Sequence, residues 1–182
     1  MPLPKPVLIL FAHALTASAQ TMERRWTQQY NGPANLTDAG RAVVVDSQGA
    51  VVVSAISQPL SYINDFYTLN YAAEDGALVW DRRETPNNGL SSPEALALDP
   101  WDNVIVAGSV EPPANPRYYV VKYAARSGAR LWEKFIAGGT PTGTTRYRYA
   151  ADVKTDSAGN IIVTGTISTA SDANYDLSLI HI

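Results

Sequence analysis

Side chains able to move protons or hold a metal are scarce and scattered in this chain. Histidine occurs only as His13 and His181, each in a terminal segment expected to lie outside the folded body, and cysteine is absent. A serine or cysteine nucleophile in that body therefore has no imidazole to activate it, and disulfides and thiolate metal sites are excluded. Carboxylates remain. Asp46, Asp99 and Asp156 could each give oxygen to a calcium site. Each, however, has the amides of its own turn to satisfy and stands roughly fifty residues from the next. Asp38 and Glu94 could serve a glycosidase only if the fold set them across a sugar from one another, and no local pattern joins them. No cofactor and no metal is expected, and no catalysis.

Two further groups could bind rather than react. Trp26, Trp80 and Trp132 could stack on sugar rings, but indoles recurring at one place in a repeat more readily pack between neighbouring units. The stretch 138–148 is longer than its counterparts and carries Arg146, Tyr147 and Arg148. Arginines flanking a tyrosine suit an anion or a carbohydrate, and the plainer reading is a solvated connection. Gly138-Gly139 is no phosphate loop, since no lysine follows at the required spacing and no helix follows either.

The elements that must position these residues come from a repeat. The three tryptophans recur at intervals just over fifty residues, and so do Asp46, Asp99 and Asp156. Two markers at one such period predict a propeller blade or a similar β unit. Unit one holds short β-branched or aromatic runs at 43–45, 50–56, 66–71 and 77–83, and unit two repeats them at 95–98, 104–110, 118–123 and 129–135. Each run is bounded by Gly, Pro, Asn or Asp, and none has helical periodicity, so each unit predicts a four-stranded antiparallel blade. Aspartate opens the first hairpin turn of each unit, where its carboxylate can hold the turn amides. Glycine closes that turn in units one and three, and Asp102 takes the left-handed position in unit two. A second turn places Gly76 four residues before Trp80 and Gly128 four before Trp132.

Lys5, the apolar run 7–15 and Ala17-Ser18-Ala19 have the form of a cleavable export leader. Residues 1–19 are thus expected to be removed, leaving 20–182 as β-propeller repeats in units of about 26–79, 80–131 and 132–182. The apolar run is too short to span a bilayer. The third unit stops at its third strand, which gives about three blades, whereas closed propellers hold roughly four to eight. The expectation is a fragment of a longer reading frame, all-β, with apolar sheet faces bare at both ends.

The pattern Trp26-x-x-x-Tyr30-Asn31-Gly32-Pro33, then Ala42-Val43-Val44-Val45-Asp46-x-x-Gly49, then tyrosine-rich strands ending Asn70-Tyr71 or Lys122-Tyr123, resembles the bacterial SBBP-type β-propeller repeat. Residues 153–165 are similar to the core hairpin of that repeat. The same hairpin resembles NHL-type repeats, and Gly-x-x-x-Trp resembles the tryptophan-docking motif of PQQ-dependent dehydrogenases. The resemblance implies an exported binding or scaffold module, secreted, periplasmic or on the cell surface, whose ligand is a protein or a glycan. A net charge of −3 argues against nucleic acid as the partner. The alternatives are a piece of a PQQ-dependent dehydrogenase, which would need an acidic, calcium-bearing cofactor site, or of a propeller glycosidase or lyase.

Overall fold

The computed structural model describes residues 23–60, 63–86, 90–111, 117–136, 148–168 and 175–182, and among them every regular element is a strand. The first sheet contains β1 (Asp38–Val45), β2 (Val51–Leu60), β3 (Ile63–Tyr71) and β4 (Leu78–Glu84). The second contains β5 (Leu90–Leu98), β6 (Val104–Glu111), β7 (Arg117–Tyr123) and β8 (Arg130–Ile136). The third contains β9 (Arg148–Thr155), β10 (Ile161–Ser168) and β11 (Tyr175–His181). All three are antiparallel and ordered as in the chain, four, four and three strands wide. This is the propeller architecture that the repeat predicts. The sheets are offset from the units 26–79, 80–131 and 132–182, because Trp80 and Trp132 lie inside the last strand of a sheet rather than opening the next.

The expected export leader, residues 1–19, lies outside the described residues. His181 is placed differently from expectation: it ends β11, opposite Ile162, and so belongs to the folded body. Several strands also extend beyond their β-branched runs. Asp38 to Ala42 have no strand signature of their own, yet they pair with Ser54 to Ser57 of β2, since ladder partners and packing outweigh local propensity in a sheet.

Within each sheet, every first strand carries a bulge, at Arg41, Glu94 and Ala151. The first strands lie side by side from sheet to sheet, β1 by β5 and β5 by β9, so they form the inner edge of the fan. Another pair of bulges, at Val79 and Leu131, immediately precedes Trp80 and Trp132. A bulge re-aims the side chains that follow it, and here it turns an indole out of its own sheet.

The indoles then join the sheets. Trp80 donates Nε1–H to the Ala125 carbonyl at 2.8 Å, in the β7–β8 turn of the next sheet, and meets Tyr123 with ring centroids 6.1 Å apart. Its ring lies on Gly128, where a Cβ would stand 2.6 Å from the indole. Trp26 repeats the arrangement one sheet earlier, bonding Ala73 at 3.1 Å, meeting Tyr71 at 6.3 Å and lying on Gly76. Between the first two sheets the core is built of Val52, Phe66, Val104, Val106, Tyr119 and Val121. Between the second and third it is built of Ile105, Ala107, Tyr118, Val120, Val153 and Val163. The middle sheet is therefore apolar on both faces, and Val104, Ile105 and Val106 are wholly buried.

Gly128 has φ of +62°, so alanine there suffers twice, through left-handed strain of roughly 1–2 kcal/mol and through collision with Trp80. Gly128→Ala is expected to lower unfolding stability by at least about 2 kcal/mol, read from the urea midpoint at constant m. Gly40→Ala, where an added Cβ meets nothing within 4 Å, should stay within about 0.5 kcal/mol. Equal effects from the two would contradict the docking geometry.

Candidate functional site

Each sheet has one end made of hydrogen-bonded turns, β1–β2 and β3–β4 in the first, and an opposite end where the remaining connections meet. The tight-turn end is chemically occupied. Asp46 Oδ1 accepts from the Gln48 and Ala50 amides, Asp99 Oδ1 from those of Trp101 and Asn103, and Asp156 Oδ1 from those of Ala158 and Asn160, all at 2.8–2.9 Å. The turns also touch across sheets: the Ser47 hydroxyl donates to Asp102 at 2.5 Å. Asp102 itself has φ of +62° and takes the glycine position. Trp101, which the repeat pattern does not single out, lies over Gly159 of the third sheet.

The connection end holds a cleft of about 160 Å³, lined by Asn64, Leu90, Ser91, Ser92, Ser109 and Tyr149. It forms where the starts of β3, β5 and β9 meet the end of β6, one wall coming from each sheet. Ser109 Oγ accepts from the buried Ala150 amide at 3.2 Å, which fixes β9 against β6 beside the cleft. Ser92 donates to Glu94 from the inner edge of the second sheet. The result is a shallow cleft in which Ser91 and Ser109 are buried, while Asn64, Ser92, Leu90 and Tyr149 remain at least partly exposed. Arg146 and Tyr147 lie outside the described residues. Arg148 begins β9 opposite Ile167, so the stretch 138–148 leads directly into Tyr149 and the cleft.

In the first sheet lies a half-buried cluster around Arg83 that the sequence pattern does not flag. Its guanidinium donates to Asp65 at 2.9 Å, to the Tyr30 hydroxyl at 2.7 Å and to Ser57 at 3.1 Å, and stands 4.6 Å from the centre of the Tyr67 ring. Asp65 is wholly buried. Burial opposes the charge of Arg83, but the hydrogen bond to Asp65 and the neighbouring groups outweigh it and raise its pKa above the usual arginine value. Burial, reinforced by a hydrogen bond to Asp81, pushes the Tyr67 phenol up as well. The cluster is a structural clamp: it ties Tyr30 of the lead-in segment to strands β2, β3 and β4.

Asp38 accepts from the Gly32 amide at 2.7 Å, whereas Glu94 accepts from Ser92, so each serves a different partner. The carboxylates that do share a partner are Glu84 and Glu133, both 3.0 Å from Arg130, and they sit on β4 and β8 at the outer rim. Burial raises the Glu84 pKa against the lowering pull of Arg130. Among the described residues no three His, Asp or Glu side chains gather as metal ligands. The cleft itself offers hydroxyls and one amide but no carboxylate. A quinone cofactor with calcium would call for clustered carboxylate and amide oxygens, and among the described residues lining this cleft only Asn64 supplies an oxygen of that kind.

Asp99 gives the pH dependence its sign. Burial alone would raise its pKa, but Lys122 at 2.7 Å, Asn103 and the turn amides outweigh that and hold it below the ordinary carboxylate value. A depressed folded pKa contributes stability above the unfolded pKa, and the contribution is lost as pH falls through the folded value. Stability should therefore drop as pH falls below about 4. Asp99→Asn should be less stable at pH 7 and show a shallower acid slope in urea titrations repeated from pH 7 to pH 2. An unchanged slope would remove Asp99 from the account.

Compared with known families, the chain matches the family model described as outer membrane protein assembly factor BamB, over residues 10–172. No curated protein sequence matches it significantly.

Proposed function

Because the chain belongs to the BamB family of PQQ-like β-propeller repeats, we propose that it is an exported propeller module that binds or scaffolds an extended partner and carries no catalysis of its own. The observation that carries this reading is the cleft of about 160 Å³ at the connection end. Sites that enclose small molecules run to roughly 300–1,000 Å³, so this one can grip a few groups of a polymer but cannot surround a substrate. Asn64 and Ser92 suit the main-chain groups of an extended peptide or the hydroxyls of a glycan, and Leu90 with Tyr149 gives apolar contact beside them.

The family's description names an assembly factor of the outer membrane. Together with the leader-like residues 1–19, that supports a periplasmic or cell-surface setting and favours a protein segment as the partner. Charged groups near the cleft support binding over chemistry, since Arg83 and Asp65 neutralise each other in a clamp and Glu94 is engaged by Ser92.

Fluorescence polarisation with labelled extended peptides, and the same assay with labelled oligosaccharides, checks the reading. One class should bind, and Tyr149→Ala should weaken that binding at least tenfold. Leu90→Asp should do likewise, with melting temperatures close to the parent. Binding unaffected by both substitutions would overturn the site. A reconstituted cofactor absorbance on adding quinone and calcium would overturn the non-catalytic role.

A further inference from the structure

The connection end of the first sheet holds two carboxylates with more acceptor oxygens than donors to meet them. Asp38, Ser57 and Asp65 stand in one row across β1, β2 and β3, Asp38 opposite Ser57 and Ser57 opposite Asp65. Residues directly opposite one another in a ladder project from the same face. Ser57 and Asp65 are wholly buried, and Asp38 is half-buried. Asp38 gives Oδ2 to the Gly32 amide, and Asp65 gives Oδ2 to Arg83. The Oδ1 of each is buried and accepts no hydrogen bond among the described residues. A carboxylate oxygen taken out of water without a donor is costly, so a row with two of them calls for a further partner.

Charge and space both say what that partner is. Arg83 bonds Asp65 and Ser57, so the row brings two carboxylates to a single guanidinium and one negative charge is left over. Arg83 reaches the row from β4 and takes Oδ2 of Asp65, which leaves Oδ1 unserved. Gly32 of the lead-in segment lies over the same row. A Cβ at Gly32 would stand 3.2 Å from Asp38 Oδ1 and 3.2 Å from Ser57 Oγ. Those two oxygens therefore converge beneath a stretch of backbone that carries no side chain. The Ser57 hydroxyl accepts from Arg83 with one lone pair and has a second to give.

We infer that Asp38 Oδ1, Asp65 Oδ1 and Ser57 Oγ hold a calcium ion between the first sheet and its lead-in segment. Hard cations take oxygen ligands, and carboxylates serve them well. Neighbouring strands lie about 4.8 Å apart, so ligands spread over three strands suit the longer, flexible coordination of calcium better than the short octahedral bonds of magnesium. Water completes the shell. The ion neutralises the surplus carboxylate and pins segment 30–38, already tied by the Gly32 amide to Asp38, onto the strands beneath. Partial exposure of Asp38 gives the ion a way in. The turn aspartates Asp46, Asp99 and Asp156 lie at the other end of the sheets and take no part.

Chelator-treated full-length chain, titrated with calcium chloride, tests the inference. The melting temperature should rise by roughly 5–10 °C at a hundredfold excess over the dissociation constant, and titration calorimetry should give one ion per chain. Magnesium chloride and sodium chloride, at matched ionic strength, should bind at least tenfold more weakly. Asp38→Asn, which leaves the Arg83 pair with Asp65 in place, should weaken calcium binding at least tenfold. Gly32→Ala should do the same with both carboxylates retained, because its Cβ crowds the two oxygens. Each variant is compared with itself, with and without calcium, so a loss of basal stability does not imitate a loss of binding. A parent melting temperature indifferent to calcium would overturn the inference, as an ordered water in the row would produce. So would an equal response to sodium, or a calcium affinity unchanged in both variants.

Discussion

The contact on which the structure depends is the seating of an indole on a glycine of the following sheet. Three interactions meet there: a buried indole N–H finds a carbonyl, the ring face covers a turn that no Cβ obstructs, and a tyrosine packs against its edge. Burying an indole is favourable only when its N–H is satisfied, so the hydrogen bond makes the apolar burial possible. Because Trp80 sits on the last strand of one sheet and its seat on the last turn of the next, the contact sets the spacing and rotation between sheets at their outer rim. The inner rim is set separately, by the bulged first strands lying side by side.

From that division follows the asymmetry between the two ends of the fan. The tight-turn end spends polar groups internally, with Asp46, Asp99 and Asp156 each accepting from their own turn amides and Asp102 from Ser47. The connection end carries the serines, Asn64 and Tyr149 on strand starts whose positions are already fixed by the ladders. Groups mounted on strand ends are held more firmly than groups on free loops.

Buried polar groups add specificity rather than bulk stability. Asp65 is buried and Arg83 half-buried beside it, and the two are joined by Tyr30, Ser57 and the Tyr67 ring. The cluster admits one docking of the lead-in segment, since a shift of one residue would move Tyr30 away from the guanidinium. Lys122 with Asp99 does the same for a turn, holding the β5–β6 hairpin against β7 of the same sheet.

Residue order alone determined the parts of the fold that rest on local chemistry. Asp and Gly at turn positions, β-branched runs between them and indoles at a constant interval were enough to give tandem antiparallel sheets, because a turn is decided by a handful of adjacent backbone angles. Even the left-handed Asp102 was legible in this way. Only the tertiary structure decided what depends on register between distant segments. Ser91, Ser109 and Tyr149 carry no shared motif, and they form one cleft because β5, β6 and β9 converge at their ends. Arg83 meets Asp65 because β3 and β4 pair with one particular offset, and His181 joins the body because β11 finds β10. Small polar residues have no periodic signature, and their neighbours are chosen by the burial of the apolar faces around them.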